Sequence, residues 1–343
     1  MNKHLLIPLT LLTLTAGACA KKSTSTTGQD AQEYLQLWID AFYPGLTPNA
    51  DGLYILEETV GTGEERDTDL PYVYVNSTIR SLGGTISNTT REDLAKQLGT
   101  YATANYYGPR YQMVGSGTSY AGVDALLKGM KAGGTRKAVI PAWMLTTSRY
   151  NTQQEYLKNC SVSSSLIYEI GFEGQTEDPE ADGIQTVKDY VLTLYGDQEK
   201  PTTYTSGQEA DGSFYFVSDS TAFKDVEKMA SDASVKMNYI GRRLDGTIFD
   251  TNLEKVAKNA GIYNQEREYT PLSVTYSTSY SSISVGGSTS YIDGFKGGLY
   301  LMHWKGQKAT VIFSSKHGYS SSGSSSTIPP YEPLIFDLEI LAD

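Results

Sequence analysis

The chain has 343 residues, 39% hydrophobic and 20% charged, with a formal net charge of −11. That length suits about two domains of ordinary size, and the composition supports a buried core and excludes large-scale disorder. An acidic balance with no block of Lys or Arg argues against nucleic acid as a partner.

The first predicted element, residues 1–18, is a targeting segment. Asn2-Lys3-His4 forms a short positive region, and Leu5 to Leu14 an apolar stretch of about ten residues, too short to span a bilayer. Ala16-Gly17-Ala18-Cys19 follows and resembles a bacterial lipobox. The resemblance implies cleavage before Cys19 and acylation of its thiol, a lipid anchor in the outer membrane with the protein facing the periplasm. Cys160 is the only other cysteine, so the mature chain has no intramolecular disulfide to form, and this thiol reads as a bystander. Residues 19–30 are small, polar and aperiodic, a flexible tether.

Leu35, Trp38, Ile39 and Phe42 then recur at helical spacing, which predicts a short amphipathic helix capped by Asp30 and stopped by Pro44-Gly45. Beyond it the chain repeats itself. Ala50-Asp51-Gly52-Leu53-Tyr54-Ile55 matches Ala210-Asp211-Gly212-Ser213-Phe214-Tyr215 at an offset of 160 residues. Leu82-Gly83-Gly84-Thr85-Ile86 matches Leu244-Asp245-Gly246-Thr247-Ile248, and Leu166-Ile167-Tyr168-Glu169-Ile170 matches Leu334-Ile335-Phe336-Asp337-Leu338. A second helix, with Ile184, Val187, Val191 and Leu194 on one face, precedes the second copy, and the acidic residues 176–182 mark the junction.

Within the second copy Val235, Met237 and Tyr239 alternate with polar residues, as in a half-buried strand. Leu334, Phe336, Leu338 and Ile340 share one strand face, with Asp337 and Glu339 on the other. Ile292, Phe295, Leu299 and Met302 lie at helical spacing, one short helix across the sheet. The stretch between Asp250 and Ile292 is long, with a helical pattern at 253–260 that reads as an insert and a Tyr/Ser-rich run at 276–291. Residues 317–327 read as a Ser/Gly loop whose wall orders on binding. The predicted fold class is α+β. It has two domains, 31–175 and 183–343, each a curled, mainly antiparallel sheet wrapped on one short helix and preceded by a short amphipathic helix.

The ordered set from Tyr239-Ile240-Gly241, through Leu244 to Asp250, Ile292-Asp293-Gly294-Phe295 and Gly298 to Met302, to Tyr319, Ile328-Pro329-Pro330 and Leu334 to Ile340 resembles the FK506-binding-protein (FKBP) type peptidyl-prolyl isomerases. Rotation about a peptide bond is opposed by an amide-resonance barrier of roughly 18–20 kcal/mol. A dry, apolar, shape-matched slot favours the twisted amide over the planar, solvated one, so such an enzyme needs no nucleophile, metal or cofactor. The resemblance implies a peptidyl-prolyl cis-trans isomerase and folding helper acting on proline-containing exported polypeptides, with FK506-like compounds as further ligands.

It also implies roles. Tyr239, Phe249, Ile292, Phe295 and Phe336 form the floor and walls of a proline pocket, and Asp250 is its polar group. The Tyr319 hydroxyl and the Ile328 backbone N–H bond substrate carbonyls. Phe295 stands where the family has a tryptophan, and Leu272 is the nearest counterpart of a missing wall aromatic. Taken singly, Ile292, Phe295 and Phe336 are also packing residues, and Asp250 is also a turn or cap residue.

The first copy has Ser77 for Tyr239, Ser87-Asn88 for Phe249-Asp250, Val123 for Phe295 and Tyr168 for Phe336, and residues 146–165 replace the Ile-Pro-Pro loop. It reads as a degenerate FKBP-like domain without isomerase activity. The alternative for the whole chain is a non-catalytic binding or structural module of the cell envelope.

Overall fold

The computed structural model describes residues 27–115, 117–159, 164–196, 202–203 and 211–342. The leader with Cys19, and Cys160, lie outside the described residues. Helix α1 (Thr27–Phe42) leads into a sheet of β1 (Tyr54–Thr59), β2 (Tyr72–Ser81), β3 (Ile86–Thr89), β4 (Arg110–Met113), β5 (Gly134–Ile140) and β6 (Leu166–Thr176). Helices α2 (Glu92–Gln97), α3 (Ala121–Leu127) and α4 (Gln153–Asn159) fall between the strands. Helix α5 (Pro179–Tyr195) opens the second half. It is followed by β7 (Thr202–Thr203), β8 (Phe214–Val217), β9 (Ser234–Arg243), β10 (Ile248–Thr251), α6 (Glu254–Asn259), β11 (Leu272–Thr275), β12 (Ser284–Val285), α7 (Asp293–Leu301), β13 (Lys308–Phe313) and β14 (Leu334–Ile340).

Both sheets are antiparallel throughout and share one topology, β1-β5-β6-β2-β3 in the first and β8-β13-β14-β9-β10 in the second. β4 and β11 pair with β2 and β9 at equivalent registers, Val75 facing Arg110 as Met237 faces Leu272. The fold is therefore α+β in two sheets.

Strand alternation decides which side of each sheet is apolar, and here both sides are used. Val311, Leu334, Phe336 and Leu338 face α7, whose Phe295 and Leu299 complete the main core of the second domain. Ile312 and Ile335 point the other way and are fully buried under Val187 and Val191 of α5. Leu35 and Ile39 of α1 do the same over Tyr54, Val139 and Ile167. Burying each such side chain contributes about 1.5–3 kcal/mol, enough to fix the leading helices to their sheets. The predicted outer members of those helix faces, Phe42 and Leu194, are instead exposed. α1 begins at Thr27, so residues 27–30 are helix rather than tether, and Asp30 lies in the first turn instead of capping.

The helix at Glu254–Asn259 is no insert, because α2 is its counterpart. Ala95 and Ala257 are buried at matching places, and Gly99 and Gly261 follow with φ of 68° and 70°, a left-handed turn that favours glycine. Lys96 lies 4.7 Å over the Tyr101 ring, and Lys258 4.7 Å over Tyr263. Tyr101 stacks on Tyr107, and Tyr263 on Tyr269, each pair at 5.4 Å. The first strands differ by one residue from the sequence match. Tyr54 faces Val139 as Tyr215 faces Ile312, an offset of 161 (215 minus 54) that brings Leu53 and Phe214 into equivalent core positions.

The two halves meet through tyrosines of the first and a loop of the second. Glu332 of that loop sits half-buried beside Arg243 and Asp245, and its charge acts on Tyr74 and Tyr106. Burial raises its pKa from the ordinary 4.5 to about 7, against the pull of Arg243 and with Asp245 adding to the rise. An acid whose pKa is higher folded than unfolded binds more protons in the folded state. Stability therefore falls as pH rises through the interval from about 4.5 to about 7. The loss is at most about 3 kcal/mol, and smaller to the extent that solvent reaches the carboxylate. Urea denaturation of wild type and Glu332→Gln at about pH 5 and about pH 8 checks this: only the wild type should lose this increment, and identical pH dependence in both chains contradicts it.

Candidate functional site

β9 and β14 set the site. Their register puts Gly241 opposite Phe336 and Tyr239 opposite Leu338. A register shift in the β9–β10 pairing between Ile248 and Asp250 re-aims β10 locally and turns the Phe249 ring onto the strand at Gly241. A Cβ on Gly241 would lie 2.8 Å from the Phe249 ring and 2.9 Å from that of Phe336, so only glycine fits here.

The aromatic rings then interlock edge to face. Phe249 and Phe336 are 5.7 Å apart, Phe295 and Phe336 5.3 Å, and Tyr239 and Phe295 5.8 Å. Tyr239, Phe295, Ile328 and Phe336 are buried in one cluster, with Phe249, Ile292, Leu272 and Tyr319 packed half-buried against it. Ile292 is the residue preceding α7 rather than a member of the helix, which places Phe295 on its first turn.

Tyr239 is held by backbone and side chain alike. Its N–H donates to Asn252 Oδ1 (2.9 Å), and its carbonyl accepts from Thr251 Oγ1 (2.6 Å). Its hydroxyl donates to Asp250 Oδ2 (2.6 Å), so Asp250 joins the aromatic wall through that bond. Arg267 closes a triangle, donating to Asp250 Oδ1 and, at 2.8 Å, to the Tyr239 hydroxyl. Burial, then the Asp250 charge, pushes the Tyr239 pKa well above the usual phenol range. Burial disfavours the Arg267 charge, yet its hydrogen bond and ion pair with Asp250 outweigh this and raise its pKa. With Asp250 and Arg267 each more than a third exposed, the pair adds little stability, about 0–1 kcal/mol. Its effect is to orient Asp250 and neutralise its charge, leaving an apolar slot with a compensated rim.

Arg267 was not legible as a site residue, since it lies in the long stretch between Asp250 and Ile292 beyond the helical pattern, and its counterpart in the first domain is Asn105. Tyr291, stacked on Phe295 at 5.5 Å, was missed because it is one of several tyrosines in the Tyr/Ser-rich run 276–291.

The loop that completes the wall carries two short 3₁₀ turns, Ser315–His317 and Ser320–Ser322. Its first turn is fixed by Glu180 of α5, which accepts from Ser314 Oγ (2.6 Å), Ser315 Oγ and the Lys316 N–H (3.1 Å). His317 bridges Asp293 Oδ2 (2.5 Å) and Ser213 Oγ (2.9 Å). The Ser–His–Asp order is that of a nucleophilic triad, but Ser213 is 3% exposed, so no substrate reaches it. The network instead ties the loop to the start of α7.

Tyr319 follows, its hydroxyl bonded to no other described residue and its pKa raised by burial and by Asp250, so it stays a neutral donor. The Ile328 N–H, which the family resemblance reserves for a substrate carbonyl, is already engaged. It donates to Ser324 O (3.1 Å) while Ser324 N–H donates to Ile328 O (2.7 Å), a tight bridge inside the loop.

In the first domain the equivalent positions carry Ser77, Ile79, Asn88, Val123 and Tyr168, which line a hollow of about 470 Å³ together with Gln112 and Arg149. Ile79 stands where the second domain has Gly241, facing Tyr168 as Gly241 faces Phe336. A Cβ there leaves no room for an aromatic at the Ser87 position. The scaffold nevertheless persists: Thr90 Oγ1 accepts the Ser77 N–H (3.0 Å), as Asn252 accepts that of Tyr239.

Residues 226–341 match the family model described as FKBP-type peptidyl-prolyl cis-trans isomerase. A curated relative, the short-type peptidyl-prolyl cis-trans isomerase of Methanocaldococcus jannaschii, is 34% identical over 85 residues, 25% of this chain and 46% of the relative. The chain thus spans about half the length of that protein. Among solved structures, the three FKBP domains of wheat FKBP73 align over 84% of this chain and 92% of that one, at 16% identity and a TM-score of 0.29. FkpA from Escherichia coli aligns over 47% and 59%, at 23% identity and a TM-score of 0.31. By the family match and the curated relative, residues 226–341 of the C-terminal domain are similar to the FKBP-type peptidyl-prolyl cis-trans isomerases.

Proposed function

We propose that the second domain catalyses cis-trans isomerisation of X–Pro bonds and acts as a folding helper for exported polypeptides. The observation that carries this is the convergence of Tyr239, Phe249, Phe295 and Phe336 on one wall beside the Tyr319 hydroxyl, which bonds no other described residue. A prolyl ring against these rings is desolvated together with its imide. Twisting that bond costs the amide resonance and its polarity, and the dry wall favours the less polar twisted form. Tyr319 donates to a substrate carbonyl and holds the peptide in a turn. The Asp250–Arg267–Tyr239 triangle fixes the floor and supplies no base. With the Ile328 N–H already bonded within the loop, Tyr319 is the principal donor. FK506-like compounds fit the same apolar wall.

The first domain is a non-catalytic partner on this reading, because Ile79 and Ser77 occupy the space and position of the pocket floor. Its hollow, lined by polar and apolar side chains together, favours the second reading there, ligand binding without catalysis. The lipobox-like Ala16-Gly17-Ala18-Cys19 supports a lipid anchor on Cys19 in the outer membrane, facing the periplasm. Cys19→Ala should move the protein from the membrane to the soluble fraction, and unchanged fractionation contradicts the anchor.

A proline-isomerisation assay on a short peptide tests the catalytic reading. Phe249→Ala and Asp250→Leu should each cut kcat/KM by about tenfold or more. Tyr319→Phe should cut it by about five- to tenfold, the worth of one hydrogen bond. The stability change for the half-exposed Asp250 should stay within about 1 kcal/mol. A wild-type chain without activity overturns the isomerase reading, and activity that survives all three substitutions overturns the site.

A further inference from the structure

We infer that the first domain is a positioning element for the second domain's proline site, holding the loop of residues 320–333 in the conformation that buries Ile328 and seats Tyr319. The functional consequence rests on the isomerase reading, whereas the mechanical claim stands on geometry alone.

The loop is strained. Ser320, Ser325 and Tyr331 have φ of 50°, 50° and 64°, left-handed values that a bulky residue such as tyrosine rarely adopts. Such strain persists only where surrounding structure over-determines it. Part of that restraint is internal, since Tyr331 N–H donates to Ser320 O (2.9 Å). Further restraint comes from the first domain. Tyr331 OH donates to Tyr72 OH (3.2 Å), and its ring stands edge-on to Tyr72 and Tyr111 at 5.7 and 5.9 Å. Tyr106 N–H donates to Ser326 O (2.9 Å), and Ser326 Oγ donates to Asn105 Oδ1 (3.0 Å).

Arg243 links the two sides. It is 4% exposed, lies 5.5 Å from the centre of the Tyr106 ring, and its Nη1 donates both to Thr327 O (2.9 Å) and to Ala104 O (3.3 Å). The grip therefore closes on Ser326 and Thr327, immediately before Ile328.

The repeat explains how the first domain came free for this task. Asn105 follows Asn88 at the interval by which Arg267 follows Asp250. In the second domain that position completes the Asp250–Tyr239 triangle, while in the first it bonds the neighbouring domain's loop. One segment of the fold serves the pocket in one copy and the partner copy's pocket wall in the other.

A wall held before substrate arrives spares the substrate the cost of ordering it. Releasing it should weaken binding more than turnover, raising KM with kcat nearly unchanged.

Hydrogen–deuterium exchange on the full chain, comparing wild type with Arg243→Met, reads the grip directly. Amides of residues 320–331 should exchange about tenfold faster in the variant while those of β9 and β14 keep their protection. KM for a proline peptide should rise several-fold, with kcat held within about twofold. If strand amides also lose protection, the milder Asn105→Ala/Tyr72→Phe double variant decides, with loop exchange about two- to threefold faster. Unchanged loop exchange in a folded variant overturns the proposal. A wild type without turnover overturns the isomerase reading alone, because loop exchange still decides the mechanical claim.

Discussion

The approach of Phe249 to a strand position that carries no side chain organises the second domain's site. Gly241 lets two rings, Phe249 and Phe336, come within contact of the β9 backbone from different strands. From there Phe336 meets Phe295, Phe295 meets Tyr239, and Tyr239 carries the Asp250–Arg267 rim. The first domain keeps the same strand, the same facing strand and a register shift in the same hairpin, but has Ile79 at that place. One branched side chain thereby accounts for Ser87 instead of an aromatic, and for a hollow of mixed lining instead of an aromatic slot.

What the two copies share is the frame that holds the floor strand. Thr90 and Asn252 accept the N–H of Ser77 and Tyr239, and both copies continue into a helix, a left-handed glycine and a stacked tyrosine pair. Where they diverge, the divergence is functional: Arg267 turns inwards to Asp250, and Asn105 turns outwards to Ser326. Interior packing tolerates neither change cheaply, so the differences gather at the pocket floor and at the junction.

Much of this was legible from residue order. Period-two alternation identified β9 and β14, helical spacing identified α7, and the repeat paired Ser77 with Tyr239 and Tyr168 with Phe336 in the register the structure shows. The rest depends on contacts through space. Nothing in the sequence near Arg267 marks it as the partner of Asp250, and nothing near His317 announces that it bridges Asp293 and Ser213. α6 looked like an insert because its shared features with α2 are a buried alanine, a glycine and two tyrosines spread along a polar segment, too sparse to register as a repeat. The one-residue slip in the first strands arose because the Ala-Asp-Gly turn aligns more visibly than the strand behind it. The bond that engages the Ile328 N–H within its own loop was not legible, because hydrogen bonds inside a loop leave no mark in composition.

The central claim is that one wall, in one domain, receives proline. Titrating the isotopically labelled full chain with a short proline-containing peptide and following its backbone NMR signals tests it most directly. The account predicts shifts at Tyr239, Phe249, Phe295, Tyr319 and Phe336, with none in the first domain at Ser77, Ile79 or Tyr168. Shifts confined to the first domain's hollow, or an absence of shifts at the aromatic wall under saturating peptide, would contradict it.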